Sequence, residues 1–203
     1  MKKRLIYLFF NKYISFLINR NFHSFSFNPV TLNESKAILL LANHFSWWDG
    51  FLMFQLNKVF FKRRFHVMVT DENYRDVSFL KYLGAFPIKR QSRDMLQSLE
   101  SAGKLLNDRN NLLLIFPQGK LFSNHLEEVE FSKGLSRVID HSSKNFQYLF
   151  AATFVDYFNT RKPLVNCYLQ NHDGADLNNL VLIQSAYNVH YKNSRQQQCR
   201  ITV

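Results

Sequence analysis

Beyond residue 30, short unbroken apolar runs alternate with stretches in which apolar residues recur every three or four positions. Ala37-Ile38-Leu39-Leu40-Leu41-Ala42 is apolar throughout and short, the pattern of a strand buried on both faces. Leu112–Phe116 repeats it, Phe65–Thr70 is a further strand candidate, and Ala85–Lys89 can form an edge strand after the break at Gly84. Between these runs, Asp49–Lys58 and Val77–Leu83 predict helices, and Arg93–Asp108 carries Met95, Leu96, Leu99, Ala102, Leu105 and Leu106 at helical spacing. Phe131–His141 predicts another helix, and Tyr148–Phe158 and Leu164–Leu169 two further extended segments. Strands alternating with helices define an α/β fold with a mixed, largely parallel sheet flanked by helices. In such sheets ligands gather beyond the carboxyl ends of the strands. Asn43–Asp49, Lys89-Arg90 and Gln118–Lys120 each follow directly on a predicted strand, so the topology can bring them to one place.

The first 22 residues read differently. After Lys2-Lys3-Arg4 the chain is Leu, Ile, Phe or Tyr almost throughout, and on a helical wheel Arg4, Asn11, Ser15 and Asn19 fall on one side with Lys12 beside them. That pattern predicts an amphipathic helix over residues 1–22 lying in a membrane interface, followed by the main domain at 30–203. A helix merely docked on the domain is the plainer alternative. A signal peptide fits poorly, because Asn11 and Lys12 interrupt the apolar region and no small-residue cleavage site follows. No stretch supplies the roughly 20 apolar residues that would span a bilayer.

The length, 203 residues, suits one domain with a sizeable core. A net charge of +11 favours an anionic partner such as phospholipid, a phosphate-bearing cofactor or nucleic acid, and cannot choose among them. Cys167 and Cys199 are too few for a disulfide framework and have no His or Cys neighbour at metal-ligand spacing. A reducing compartment and no metal are therefore expected.

The candidate chemistry sits just after the first strand, in Asn43-His44-Phe45-Ser46-Trp47-Trp48-Asp49. An imidazole at the mouth of a strand, with a carboxylate about one helical turn on, can take a proton from an alcohol while the carboxylate orients the ring. His66 and Asp71 repeat the spacing, so spacing alone does not single out His44. Ser46-x-x-Asp49 ahead of Phe51-Leu52-Met53-Phe54 also reads as a capping box, in which Asp49 would only satisfy a helix amide. Trp47 and Trp48 could cap the core or line an apolar pocket.

Two more blocks follow in order, Gly84-Ala85-Phe86-Pro87-Ile88-Lys89-Arg90 and Phe116-Pro117-Gln118-Gly119-Lys120, then Phe131-Ser132-Lys133-Gly134. Over about residues 35–160 this series resembles the PlsC-like lysophospholipid and glycerolipid acyltransferases, with their N-H-x-S-x-x-D, G-x-x-x-I-x-R, F-P-E-G-T-R and F-K/R-x-G blocks. The resemblance implies an acyltransferase domain in which His44 is the general base and Asp49 its orienting partner. Asn43, Ser46, Lys89, Arg90, Pro117, Gln118, Gly119 and Lys120 would bind substrate, with Arg90 on an acceptor phosphate and Gly119 turning tightly beside the thioester. It implies acyl-CoA or acyl carrier protein as donor, a lipid hydroxyl such as that of lysophosphatidic acid as acceptor, no cofactor, and membrane lipids as partners at the cytoplasmic face. The chain departs from the pattern at Gln118, where the family has Glu, and at Lys120-Leu121, where it has Thr-Arg; Leu149–Phe154 also lacks the family's prolines. These departures leave room for a glycolipid or aminolipid acceptor, or for an inactive lipid-binding relative. A single-stranded nucleic-acid module is the competing class, but it needs exposed aromatics interleaved with charge, so no nucleic-acid partner is expected. Lys62-Arg63-Arg64 reads as a membrane-facing loop, and His66, His125, His172 and His190 as structural or surface residues.

Overall fold

A computed structural model describes residues 2–88, 93–172 and 179–202. Its centre is a seven-stranded sheet: β1 (Ser24–Phe27), β2 (Ala37–Ala42), β3 (Arg64–Thr70), β4 (Ala85–Ile88), β5 (Asn111–Ile115), β6 (Phe146–Asp156) and β7 (Leu164–His172). The spatial order is β1-β7-β6-β2-β5-β3-β4, and the five strands from β6 to β4 run parallel. β7 turns back antiparallel on β6 and β1 runs alongside β7, so the sheet is mixed and largely parallel as expected.

Helices cover both faces. On one lie α1 (Lys2–Asn21), α2 (Asp49–Leu56) with a wide extra turn over Asn57–Phe61, and the 3₁₀ turn Ser78–Leu83. On the other lie α4 (Arg93–Leu105), α5 (Gly134–Asp140) and α6 (Leu180–Gln198); the short α3 (Asp71–Asp76) follows β3 and packs its Tyr74 on the first core. This layering explains β2. Ile38, Leu40 and Ala42 enter the first core, Ala37, Leu39 and Leu41 the second, and every residue of the strand is buried.

α1 departs from the expected division into one polar and one apolar side. Ile14 and Ile18 are buried in the core, Phe10 stacks on Phe79, and Tyr7 packs edge-on against Phe54. Leu5, Leu8, Phe9 and Phe16 are exposed on the opposite side. Ser15, central to the predicted polar group, is turned inward and bonds Gln55 and Lys58 at 2.8 Å each. The helix is thus docked along one face and apolar on its outer face as well. Lys62-Arg63-Arg64 lies at the amino end of β3, away from the strand ends discussed below; Arg63 pairs with Glu34 and Arg64 with Asp108.

Gly84 shows how closely the elements fit. Its φ is +86°, and a Cβ there would lie 1.8 Å from the carbonyl oxygen of Phe65 on β3. Gly84→Ala should therefore destabilise the fold by roughly 3 kcal/mol, combining a left-handed backbone penalty with an overpacked contact. Urea unfolding checks this, and a loss below about 1 kcal/mol would contradict it.

Candidate active site

The chain leaving β2 meets the chain leaving β5 on one side and, on the other, β6, which runs on past its last pairing with β2 at Ala151. Asn43 fixes the start of the turn. Its Nδ2 donates to the Thr153 carbonyl at 2.9 Å, and the Thr153 N–H donates to its Oδ1 at 2.8 Å. Two side-chain bonds thus continue the β2–β6 pairing where the backbones part. Asn43 is buried by this and has no free face for substrate, so its contribution is to the geometry of the turn.

His44 and Asp49 are in contact. His44 Nδ1 lies 2.8 Å from Asp49 Oδ2, and the same oxygen accepts the N–H groups of Phe45 at 2.8 Å and Ser46 at 2.9 Å. An ionised carboxylate has no proton to give, so Nδ1 carries the hydrogen and Nε2 keeps its lone pair. The capping-box alternative does not match this geometry. Trp48 is the N-cap of α2 without a side-chain cap bond, and Asp49 reaches back into the preceding turn. Ser46 shapes that turn, its hydroxyl accepting from the Trp48 N–H at 3.1 Å. Burial pushes the Asp49 carboxyl above its ordinary value, against the bonds from His44, Ser46 and Phe45 that pull it down. Among the described residues Asp49 Oδ1 is buried with no hydrogen-bond partner, which fits desolvation as the larger effect.

The loop after β5 holds His44 from the other side. Phe116 stacks on the imidazole with ring centres 4.1 Å apart and planes 14° from parallel. Gln118 Oε1 accepts the His44 N–H at 2.6 Å, and the His44 carbonyl accepts the Phe122 N–H at 2.9 Å. Both polar backbone groups of His44 are therefore bound by this loop. Gly119 has φ +69°, its N–H closes a turn onto the Phe116 carbonyl at 3.1 Å, and a Cβ there would find only Ser132 Oγ, at 4.0 Å. Glycine thus supplies the turn and keeps that space open. The Pro117 carbonyl accepts the Ser132 N–H at 2.8 Å. Lys120 is exposed, with Nζ 5.1 Å from the centre of the Phe122 ring.

A cavity of about 850 Å³ opens at His44 and is lined by Phe51, Phe54, Val67 and Leu83 inside and by Gly119 and Lys120 near the loop. Its size lies within the range of ligand pockets. Trp47, more than half exposed, lines it, whereas Trp48 packs edge-on against Phe22 and Phe51 and belongs to the core. Lys89 and Arg90 lie outside the described residues. No group of three His, Cys, Asp or Glu residues able to hold a metal occurs among the described residues. Cys167 is buried, and burial pushes its thiol up to about 12, so it stays protonated. His66 sits elsewhere, beside Asn111 at 3.3 Å, and burial lowers its pKa.

His44, Asp49, Pro117, Gln118, Gly119 and Lys120, expected together from their blocks, lie together here. Thr153 and Phe116, which fix Asn43 and His44, are partners that the blocks alone do not reveal.

Residues 25–149, more than half of the chain, match a family model described as Acyltransferase. The chain belongs to that family, the PlsC-like acyltransferases, and its general activity is the transfer of acyl groups. No curated protein matches it.

Proposed function

We propose that the protein transfers a fatty acyl group from acyl-CoA or acyl carrier protein to the hydroxyl of a membrane lipid, with lysophosphatidic acid the leading acceptor. The observation that carries this reading is the His44–Asp49 pair, bonded at 2.8 Å, at the mouth of a largely apolar cavity. His44 Nε2 takes the proton of the acceptor hydroxyl as its oxygen attacks the thioester carbonyl carbon. The tetrahedral intermediate collapses with cleavage of the C–S bond, and the imidazolium returns its proton to the departing thiolate. Asp49 holds the imidazole tautomer and stabilises the charged ring between these steps. The acyl chain occupies the apolar cavity, Gly119 leaves room for the thioester, and Lys120 with Lys89 and Arg90 offers positive charge to phosphate. The reaction needs positioning and charge stabilisation and calls for no cofactor or metal. Mass spectrometry of total lipids from cells lacking and overexpressing the chain tests this. A monoacyl lipid that accumulates on loss, and its acylated form on overexpression, names the acceptor; no change in either would reject the reading.

Gln118 supplies a test of the site's geometry. Gln118→Ala leaves the His44 N–H without its acceptor and should lower kcat about tenfold, the equivalent of one lost hydrogen bond. Gln118→Glu keeps the acceptor and adds a negative charge beside the imidazole, which favours the protonated ring. The acid limb of its pH–rate profile should therefore move to higher pH, and an unmoved limb would contradict the arrangement.

The outer face of α1 supports a place at the membrane surface, which we put on the cytoplasmic side. Among the described residues no helix is long and apolar enough to cross a membrane. Leu5, Leu8, Phe9 and Phe16 form an apolar stripe on a chain with net charge +11, the combination that draws a helix onto anionic lipid. Leu8→Glu and Phe9→Glu should each weaken binding to anionic phospholipid vesicles by roughly tenfold or more, with the melting temperature unchanged because both positions are exposed. Undiminished binding in both variants would remove α1 from the membrane contact. Deleting residues 1–20 is a poorer test, since it strips Ile14 and Ile18 from the core.

A further inference from the structure

The family match ends at residue 149, yet α6, over Leu180–Gln198, reaches the site from outside it. Gln184, Tyr187, Asn188 and Tyr191 are spaced i, i+3, i+4 and i+7 and so share one helix face. That face meets the extended segment just before α5, whose backbone groups need partners that no neighbouring strand supplies. The Val129 N–H donates to Asn188 Oδ1 at 2.8 Å, and Asn188 Nδ2 donates to the Val129 carbonyl at 3.1 Å. The Phe131 N–H donates to Gln184 Oε1 at 2.8 Å, and the Tyr191 hydroxyl donates to the Leu126 carbonyl at 3.1 Å. The segment so held continues into Ser132, whose N–H is bonded to the Pro117 carbonyl, and Ser132, Gly134 and Leu135 line the cavity.

Tyr187 connects the same face to the other half of the site. Its fully buried hydroxyl donates to the Ala151 carbonyl on β6 at 2.8 Å and is also hydrogen-bonded by the backbone of Asn43. β2 and β6 pair as far as Ala42 opposite Ala151, so the phenol bridges them where they separate, one residue before His44. The ion pairs Lys192–Glu128 and Arg195–Glu127 flank this face, but they are solvent-exposed and add little.

We propose that α6 is a positioning clasp for the site, in which Gln184 and Asn188 set the loop from Pro117 to Gly134 and Tyr187 sets the strand end bearing His44. The part assigned to that loop in holding the thioester rests on the function proposed above. The test uses the full-length protein carrying Gln184→Ala and Asn188→Ala, singly and together. Two quantities are read, amide hydrogen exchange across residues 117–133 and the affinity for hexadecyl-CoA, a thioether that cannot be transferred. The clasp predicts that exchange over 117–133 accelerates about tenfold or more while β2 and β5 keep their protection, and that thioether affinity falls about tenfold, as expected for one or two lost hydrogen bonds. Tyr187→Phe keeps the ring packing and should lower kcat about tenfold with little change in donor KM. Unchanged exchange overturns the proposal. Faster exchange with thioether affinity within twofold of wild type overturns it as well, reducing α6 to a structural helix; a wild-type protein that does not bind the thioether rejects acyl-CoA as the donor, and exchange with the kcat of Tyr187→Phe then decides the clasp. His44→Ala separates the two readings: it leaves α6 intact, so turnover that survives it rejects the general base while exchange and affinity still decide the clasp.

Discussion

Asp49→Asn should fold as the wild type does and lose acyl transfer by at least about a hundredfold, because the tautomer and charge of the imidazole depend on a carboxylate at Nδ1. An amide at this position either donates to Nδ1 or accepts from it without balancing the ring's charge, so Nε2 loses proton affinity or is held in the wrong tautomer. Stability should respond differently. Burial holds the Asp49 carboxyl above its ordinary value, so it binds its proton more tightly in the folded than in the unfolded chain. The stability it contributes is present below the unfolded value and is lost as pH rises through the raised folded value. Asparagine does not ionise. Relative to wild type, the Asn variant should therefore gain in melting temperature as pH rises through that window and lose the gain toward acid. Thermal unfolding across pH, alongside transfer rates, checks both halves. A variant with near-normal turnover that is less stable by about 1 kcal/mol at every pH would instead mark Asp49 as a helix cap.

The parts of the fold legible in the sequence are those where one local pattern dominates. β2 and β5 are apolar runs because both faces of the sheet are covered there, and Gly84 and Gly119 mark turns with positive φ. α6 was not legible. Its buried residues Ile183, Tyr187 and Tyr191 recur every four positions, but Gln184, Asn188 and Ser194 dilute the pattern because much of that face binds backbone rather than apolar core. The same contacts explain why α5 begins at Gly134 and not at Phe131, whose N–H is held by Gln184. In α1 the helical wheel located the polar residues but not their surroundings: Ser15 faces Gln55, and the apolar residues divide between core and exterior.

Within the site, His44, Asp49 and Gln118 were legible because they sit in short blocks in a fixed chain order. The bonds of Asn43 with Thr153, the stacking of Phe116 on His44 and the approach of Tyr187 were not. Those depend on which strands are neighbours in the sheet, and Asn43 and Thr153 are 110 positions apart. The bond from Gln118 also changes its meaning. Its carbonyl oxygen is engaged by the His44 backbone, so the departure from glutamate leaves this hydrogen bond in place and removes a charge.

His44→Ala carries the largest expected effect. It removes the only group in the proposed mechanism that moves a proton, and general-base catalysis typically contributes about 10²- to 10⁴-fold. Fold should be little affected, since the imidazole is partly exposed, its ring packs on Phe116 and the backbone bonds to Gln118 and Phe122 do not need the side chain. His66→Ala is the matched control. His66 also stands five residues before an aspartate, yet it bonds Asn111 and has no place in the cavity. The decisive measurement is the initial rate of thioester-dependent lipid acylation by wild type, His44→Ala and His66→Ala, each shown to be folded. With His44 as the base, transfer falls by about a hundredfold or more in His44→Ala and is retained in His66→Ala; transfer abolished at His66 and retained at His44 would rule that base out.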